Sequence, residues 1–229
     1  MTDSRGQILG RLRRSLKVPA DDGGRKAAVS ARIAAKDRGP VPARTDLPRS
    51  AVIDLFVEQA EAVASSVVRV DKEADVPAAV GAYLKGQNLP SEVRLAPEPG
   101  LEGLAWGDQP LLAVSSGAAR PEDATSVTPA LAGVAETGTL MLTSGAAGPT
   151  TLNFLPENHI VVLKASQIVG PYEDAWNRVR AAEGEGRLPR TVNFITGPSR
   201  TGDIEQTIEM GAHGPRRLHI ILVEDEAPA

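Results

Sequence analysis

Between an apolar run that ends at Thr196 and a helix-like pattern spanning 203–210 lies Thr196-Gly197-Pro198-Ser199-Arg200-Thr201-Gly202-Asp203. Hydroxyls, a guanidinium and the free N–H groups of a helix start can converge on an anion there, because helix N-termini carry partial positive charge. A carboxylate or phosphate is the ligand such a loop suits. Two features weigh the other way. Asp203 and Glu205 already put negative charge in the first helical turn, and the segment lacks the Gly-Lys-Ser/Thr of a phosphate-binding P-loop. On the alternative reading Ser199 or Thr201 caps the helix, Pro198 shapes the turn and Arg200 pairs with a carboxylate.

Further on, Gly211-Ala212-His213-Gly214-Pro215 ends that helical pattern. Gly211 is the expected left-handed residue that closes the helix, and Gly214 before Pro215 makes a close-approach loop with His213 at its tip. His213 can serve as an acid or base near neutral pH, or hydrogen-bond to loop backbone. With His219 it can ligate a metal only if a carboxylate joins from elsewhere, and the spacing matches no standard site. No metal is therefore expected.

Glu136 stands in Ala132-Gly133-Val134-Ala135-Glu136-Thr137-Gly138-Thr139-Leu140-Met141-Leu142, a stretch read as one strand of apolar, small and Thr residues. A carboxylate in such surroundings must be paired, protonated or functional, since burying an isolated charge is costly. It is a candidate general base or nucleophile beside Thr137, Gly138 and Thr139; the alternative is a structural ion pair, with Arg200 as the expected partner. Asn153, Glu157, Asn158 and His159 surround Leu155-Pro156 before another apolar run. They either line a pocket mouth at a strand end or form a capped turn.

The elements that must position these groups alternate. Helices are expected around 50–64, 76–85, 172–182 and 203–210, with strands at 67–70, 93–96, 111–114, 132–143, 159–164, 192–196 and 218–223. Such alternation predicts an α/β layer fold. The runs 160–163 and 219–223 are continuously apolar, as in strands covered on both faces, and should lie in the sheet interior. Before this region Ile8, Leu9, Leu12 and Leu16 share one helical face while Arg5, Arg11, Arg13, Arg14 and Lys17 take the rest. A second helix is expected over 25–37, followed by the breaks Gly39-Pro40-Val41-Pro42 and Pro48. The division expected is an N-terminal helical arm, 1–44, whose basic helix is suited to docking, and an α/β domain, 45–229.

Composition narrows the chemistry. The net charge is -4, so no overall basic field exists to hold nucleic acid. With 0 cysteines among 229 residues, the chain offers no thiol nucleophile, disulfide or thiolate-held iron–sulfur cluster. The Arg-rich start does not read as a signal peptide, and no apolar run is long enough for a membrane span, so a cytoplasmic location is expected.

Four ordered segments, 132–140, 153–159, 196–205 and 211–216, together resemble the lactate-utilisation protein C family, also called LutC or the LUD domain. Gly202 stands where the family pattern has Ala. The resemblance implies a parallel-rich sheet with helices on both faces, similar to the ribose-5-phosphate isomerase and CoA transferase-like fold. It also implies a part in oxidising L-lactate to pyruvate, as a subunit of an oxidoreductase complex whose partners carry the iron–sulfur clusters, with no cofactor on this chain. On that reading Arg200 holds a substrate carboxylate, Glu136 or His213 handles a proton, and Thr137, Gly138, Thr139, Gly197, Ser199, Thr201, Asp203 and Gly214 complete the site. The alternatives are a stand-alone enzyme acting on a sugar phosphate or acyl-CoA, and a non-catalytic assembly or regulatory subunit.

Overall fold

The computed structural model describes residues 3–19, 21–184, 186–202 and 209–225. They divide into two compact units, 1–40 and 41–229. The first holds α1 (Ser4–Ser15) and α2 (Gly23–Ala35). Asp22 caps α2, its carboxylate accepting a hydrogen bond from the Arg25 backbone N–H at 3.0 Å. No residue of either helix is buried, and Ile8, Leu12, Leu16 and Ile33 are exposed.

The second unit runs α3 (Arg49–Ala62), β1 (Ser66–Val70), α4 (Val76–Gly86), β2 (Glu92–Leu95), α5 (Pro99–Glu102), β3 (Ala113–Ser116) and β4 (Thr125–Pro129). It continues with β5 (Ala132–Val134), β6 (Thr139–Thr143), β7 (Asn158–Lys164), β8 (Ile168–Val169), α6 (Tyr172–Glu183), β9 (Val192–Ile195), β10 (Arg200–Thr201), β11 (Glu209–Met210) and β12 (Arg217–Val223). Six strands form an all-parallel sheet ordered β1-β12-β7-β4-β2-β3. The continuously apolar β7 and β12 lie inside it, as their sequences predict, with His219 opposite Ile160 and Leu222 opposite Leu163. A parallel strand covered on both faces has no solvent side to mark with polar residues.

Alternate residues of those two strands serve different cores. Val161, Leu163, Ile220 and Leu222 pack on Ile53 and Phe56 of α3, whereas Ile160, Val162, Ile221 and Val223 pack with Val80 and Leu84 of α4. Helices thus cover both faces. Each such fully buried aliphatic side chain contributes roughly 1.5–3 kcal/mol in transfer free energy. A mixed sheet, β8-β5-β6-β9, lies between α3 and α6: Leu140 and Leu142 join the α3 core, and Val134 and Met141 pack on Ala175 and Val179 of α6.

Three expectations change. The run 132–143 is a hairpin, with Glu136 in the turn between β5 and β6 rather than within a strand. The helix expected over 203–210 does not reach its end, because Glu209 and Met210 form β11, antiparallel to Arg200 and Thr201; positions 203–208, with Asp203, lie outside the described residues. Finally β4 was not anticipated. Its Thr125, Ser126 and Thr128 are 1%, 0% and 3% exposed, so a central strand is built from polar residues whose pattern gives no apolar signal.

Candidate functional site

The hairpin turn and the 197–200 loop converge on the end of α3, and residues 197–199 also line a cavity. Gly138 has φ +64°, and a Cβ there would come within 2.2 Å of the Ala60 backbone nitrogen. Gly197 has φ +75°, and a Cβ there would stand 2.2 Å from the Val63 carbonyl oxygen. Both glycines let backbone approach the C-terminal end of α3. Arg200 donates from its guanidinium to that same Val63 carbonyl at 2.8 Å, at a helix end where the unsatisfied carbonyls carry negative charge.

The ion-pair partner of Glu136 is therefore not Arg200 but Arg44, at 3.3 Å. The Glu136 side chain is 15% exposed and that of Arg44 57%. Next to it, the Thr137 and Thr139 hydroxyls lie 2.6 Å apart and both bond to the Tyr172 hydroxyl, at 2.8 and 2.9 Å. Thr139 continues to Thr196 at 2.7 Å, so a chain of hydroxyls joins the hairpin to the end of β9.

Thr196 opens a cavity of about 220 Å³ that gathers the other motifs: Asn153, His159, Ser199, His213 and Gly214 also line it. The loop carrying His213 is fastened to Ser199, whose N–H donates to Pro215 O at 2.9 Å, whose carbonyl accepts from Gly211 N–H at 2.9 Å, and whose hydroxyl accepts from His213 N–H at 3.2 Å. The His213 side chain is exposed at the rim, with Phe154 and Phe194. Glu136 and Arg200 do not line this cavity, and Thr201 lies in β10 opposite Glu209.

Deepest is His159, 1% exposed, on β7. Its Nε2 lies 2.7 Å from the Thr128 hydroxyl on β4, while Nδ1 has no hydrogen-bond partner among the described residues. Burial lowers its pKa to about 3, so the ring is neutral at ordinary pH. A neutral imidazole has one donor and one acceptor nitrogen; if Nε2 accepts from Thr128, Nδ1–H is free to donate, and the converse tautomer leaves Nδ1 an acceptor. An orphaned buried nitrogen is costly. Asn158, by contrast, is structural: its amide donates to Ala124 O at 3.0 Å and its carbonyl accepts from Arg217 at 3.2 Å.

A second cavity, about 350 Å³, lies at the carboxyl ends of β4 and β7, lined by Thr128, Pro129, Ala130, Val162 and Lys164. In the sheet order the chain leaves β2 outward to β3 and leaves β4 inward to β7, which makes the β2–β4 boundary a topological switch point, the usual crevice for ligands in open α/β sheets. No sequence reading pointed here, because β4 went unrecognised. The two cavities share Asn153, which is 4% exposed and makes no side-chain hydrogen bond among the described residues.

His219 belongs to neither cavity. Its Nδ1 lies 2.8 Å from the Ser66 hydroxyl, its ring stacks on Tyr83 with centroids 3.9 Å apart, and burial lowers its pKa to about 4. No group of three His, Cys, Asp or Glu side chains able to hold a metal occurs among the described residues. No helix among them is long and apolar enough to cross a membrane.

Comparison with known proteins places these motifs. A lactate utilization protein C from Shouchella clausii is 38% identical over 93 residues, 41% of this chain and 41% of that protein. Another from a Geobacillus species is 39% identical over 93 residues, 40% of this chain and 39% of that one. The matched part thus spans about two fifths of these relatives. A solved structure of a DUF162 family protein from Deinococcus radiodurans shares the fold, with a TM-score of 0.57 and 22% identity, covering 77% of this chain and 99% of that one. Residues 124–223, which contain both walls of the His159 cavity and all four motifs, match the model of the LUD domain, and that stretch is similar to lactate utilization protein C.

Proposed function

We propose that this chain works in lactate utilisation by holding L-lactate, or the pyruvate formed from it, in the 220 Å³ cavity around His159. The observation that carries this reading is the buried, neutral His159 ring in the wall of a cavity below the roughly 300 Å³ where drug-sized sites begin. Such a space suits a three-carbon acid with a water or two. The oxygens of an α-hydroxy acid find partners in the Ser199 hydroxyl and the Asn153 amide. No Arg or Lys lines the cavity among the described residues, so the carboxylate is held by neutral donors. His159, with its low pKa, orients the ligand; exposed His213 at the rim is the proton acceptor.

Oxidation of lactate releases two electrons and two protons. A chain with 0 cysteines has no thiolates for a cluster, so the electrons pass to iron–sulfur subunits of partner proteins in a cytosolic assembly. The names of the similar proteins support a part in lactate utilisation.

The test is anaerobic purification of the tagged chain from its own cells, with lactate-dependent dye reduction assayed in the eluate. Co-eluting iron–sulfur proteins are expected, with activity lost on His159→Gln while the melting temperature is kept. Activity that persists when this chain is removed would overturn the proposal.

A further inference from the structure

The larger cavity asks for a ligand of its own. Its walls are mainly aliphatic, with Leu104, Leu142 and Val162 among them, and its ionisable groups are Glu73, Glu98 and Lys164. Lys164 is paired to Glu73, and Glu98 accepts a hydrogen bond from Leu101 N–H at 2.8 Å. The cavity therefore carries a net formal charge of -1 and no unpaired cation, which opposes a phosphate or sulfonate. What remains for a ligand is apolar surface, the Thr143 hydroxyl and one amide, that of Asn153, buried and without a hydrogen-bond partner among the described residues.

We infer that the 350 Å³ cavity is a second binding site, for a neutral ring system that bears a carbonyl or amide edge, with that edge bonded to Asn153. The volume is within the range of small-molecule sites and exceeds what a three-carbon acid fills. It lies at the carboxyl ends of β4 and β7 and takes Glu98, Gly100 and Leu101 from the segment after β2, beside the switch point at which open α/β sheets bind ligands.

Asn153 also couples the two sites. One amide has a donor end and an acceptor end, so it can serve one cavity with Nδ2 and the other with Oδ1. The Thr128 hydroxyl makes a second bridge, lining the larger cavity while bonding His159 in the smaller. A ligand that fixes the amide or the hydroxyl from one side changes what the other side is offered, and the effect must be reciprocal. Only this coupling rests on the lactate reading; occupancy of the larger cavity does not.

The experiment is calorimetric titration of the full chain with menadione, a neutral naphthoquinone, and with 1,4-naphthoquinone-2-sulfonate, its anionic counterpart. A chain with 0 cysteines offers no thiol for either quinone to alkylate. Menadione is expected to bind at least tenfold more tightly than the sulfonate. Asn153→Leu, which removes the amide, and Leu104→Trp, which fills the cavity, should each weaken menadione at least tenfold, and saturating L-lactate should shift its affinity at least threefold. No menadione binding, or equal binding of the sulfonate by the parent chain, overturns the inference without reference to any variant. Menadione binding that lactate leaves unchanged overturns the coupling alone, and failure of lactate to bind sinks the lactate reading while leaving the second site standing.

Discussion

The guanidinium of Arg200 donates to the carbonyl of Val63 at 2.8 Å, across 137 residues of sequence, and so closes the C-terminal end of α3. A basic side chain that looks like an anion hook in the sequence is spent on a helix end. Arg200→Ala is expected to lower stability by about 1 kcal/mol, the lower part of the range for a charge-assisted bond because the residue is exposed. Affinity for lactate should change less than twofold. Urea midpoints beside ligand titrations check both; a tenfold loss of affinity with unchanged stability would return Arg200 to the binding site.

Gly138 and Gly197 make the same contact from the backbone side. Alanine at either position combines a left-handed φ with a Cβ 2.2 Å from α3 backbone atoms, which cannot move aside as a flexible side chain can. Each substitution should cost at least about 2 kcal/mol, beyond the ordinary cost of Ala at positive φ. Alanine at Gly202, where an added Cβ would meet nothing within 4 Å among the described residues and φ is not positive, should cost under about 0.5 kcal/mol and serves as the control. Chemical denaturation of the three variants decides it.

Glu136 presents a sharper alternative. It sits in a hairpin turn against a largely exposed Arg44 and lines neither cavity, so as an ion pair it is worth about 0–1 kcal/mol. A double-mutant cycle of Glu136→Gln and Arg44→Gln should give a coupling below about 1 kcal/mol and leave lactate binding intact. If Glu136→Gln instead abolishes turnover in the assembly while raising the melting temperature, the carboxylate is held at a cost to folding for the sake of function.

Much of this fold is legible in the sequence because its strongest periodicities are honest. The uninterrupted apolar runs of β7 and β12 suit interior parallel strands, and Gly39-Pro40-Val41-Pro42 breaks the arm after its second helix. The site was legible only in part. The segments 153–159, 196–199 and 211–215 do meet at one cavity, yet sequence cannot tell a glycine that admits a ligand from one that admits a helix, and Gly138 and Gly197 admit α3. Thr128 was invisible because Thr-Ser-Val-Thr-Pro has the composition of a loop; its hydroxyls are tolerated inside since Ser126 donates to Leu152 O at 2.6 Å and Thr128 bonds His159. Polar strands of this kind are stabilised by partners that only the folded chain supplies.

Those buried partners also set how the protein responds to acid. His159 and His219 have folded pKa values lowered by burial to about 3 and about 4, against about 6.5 in the unfolded chain. Between those limits the unfolded state binds protons that the native state refuses, so stability rises with pH there and is lost as pH falls below about 6.5. The loss should flatten near pH 4 for His219 and continue toward pH 3 for His159, amounting to a few kcal/mol on the order of magnitude. Asp123, whose pKa falls despite the opposing effect of desolvation because Arg94 grips both its oxygens at 2.9 and 3.1 Å, adds to the loss at the acid end. Urea unfolding between pH 7 and pH 4 measures the slope. His219→Gln should roughly halve it above pH 4, leaving the part due to His159, and a parent protein whose midpoint stays constant across this range would show that neither imidazole is held neutral by the fold.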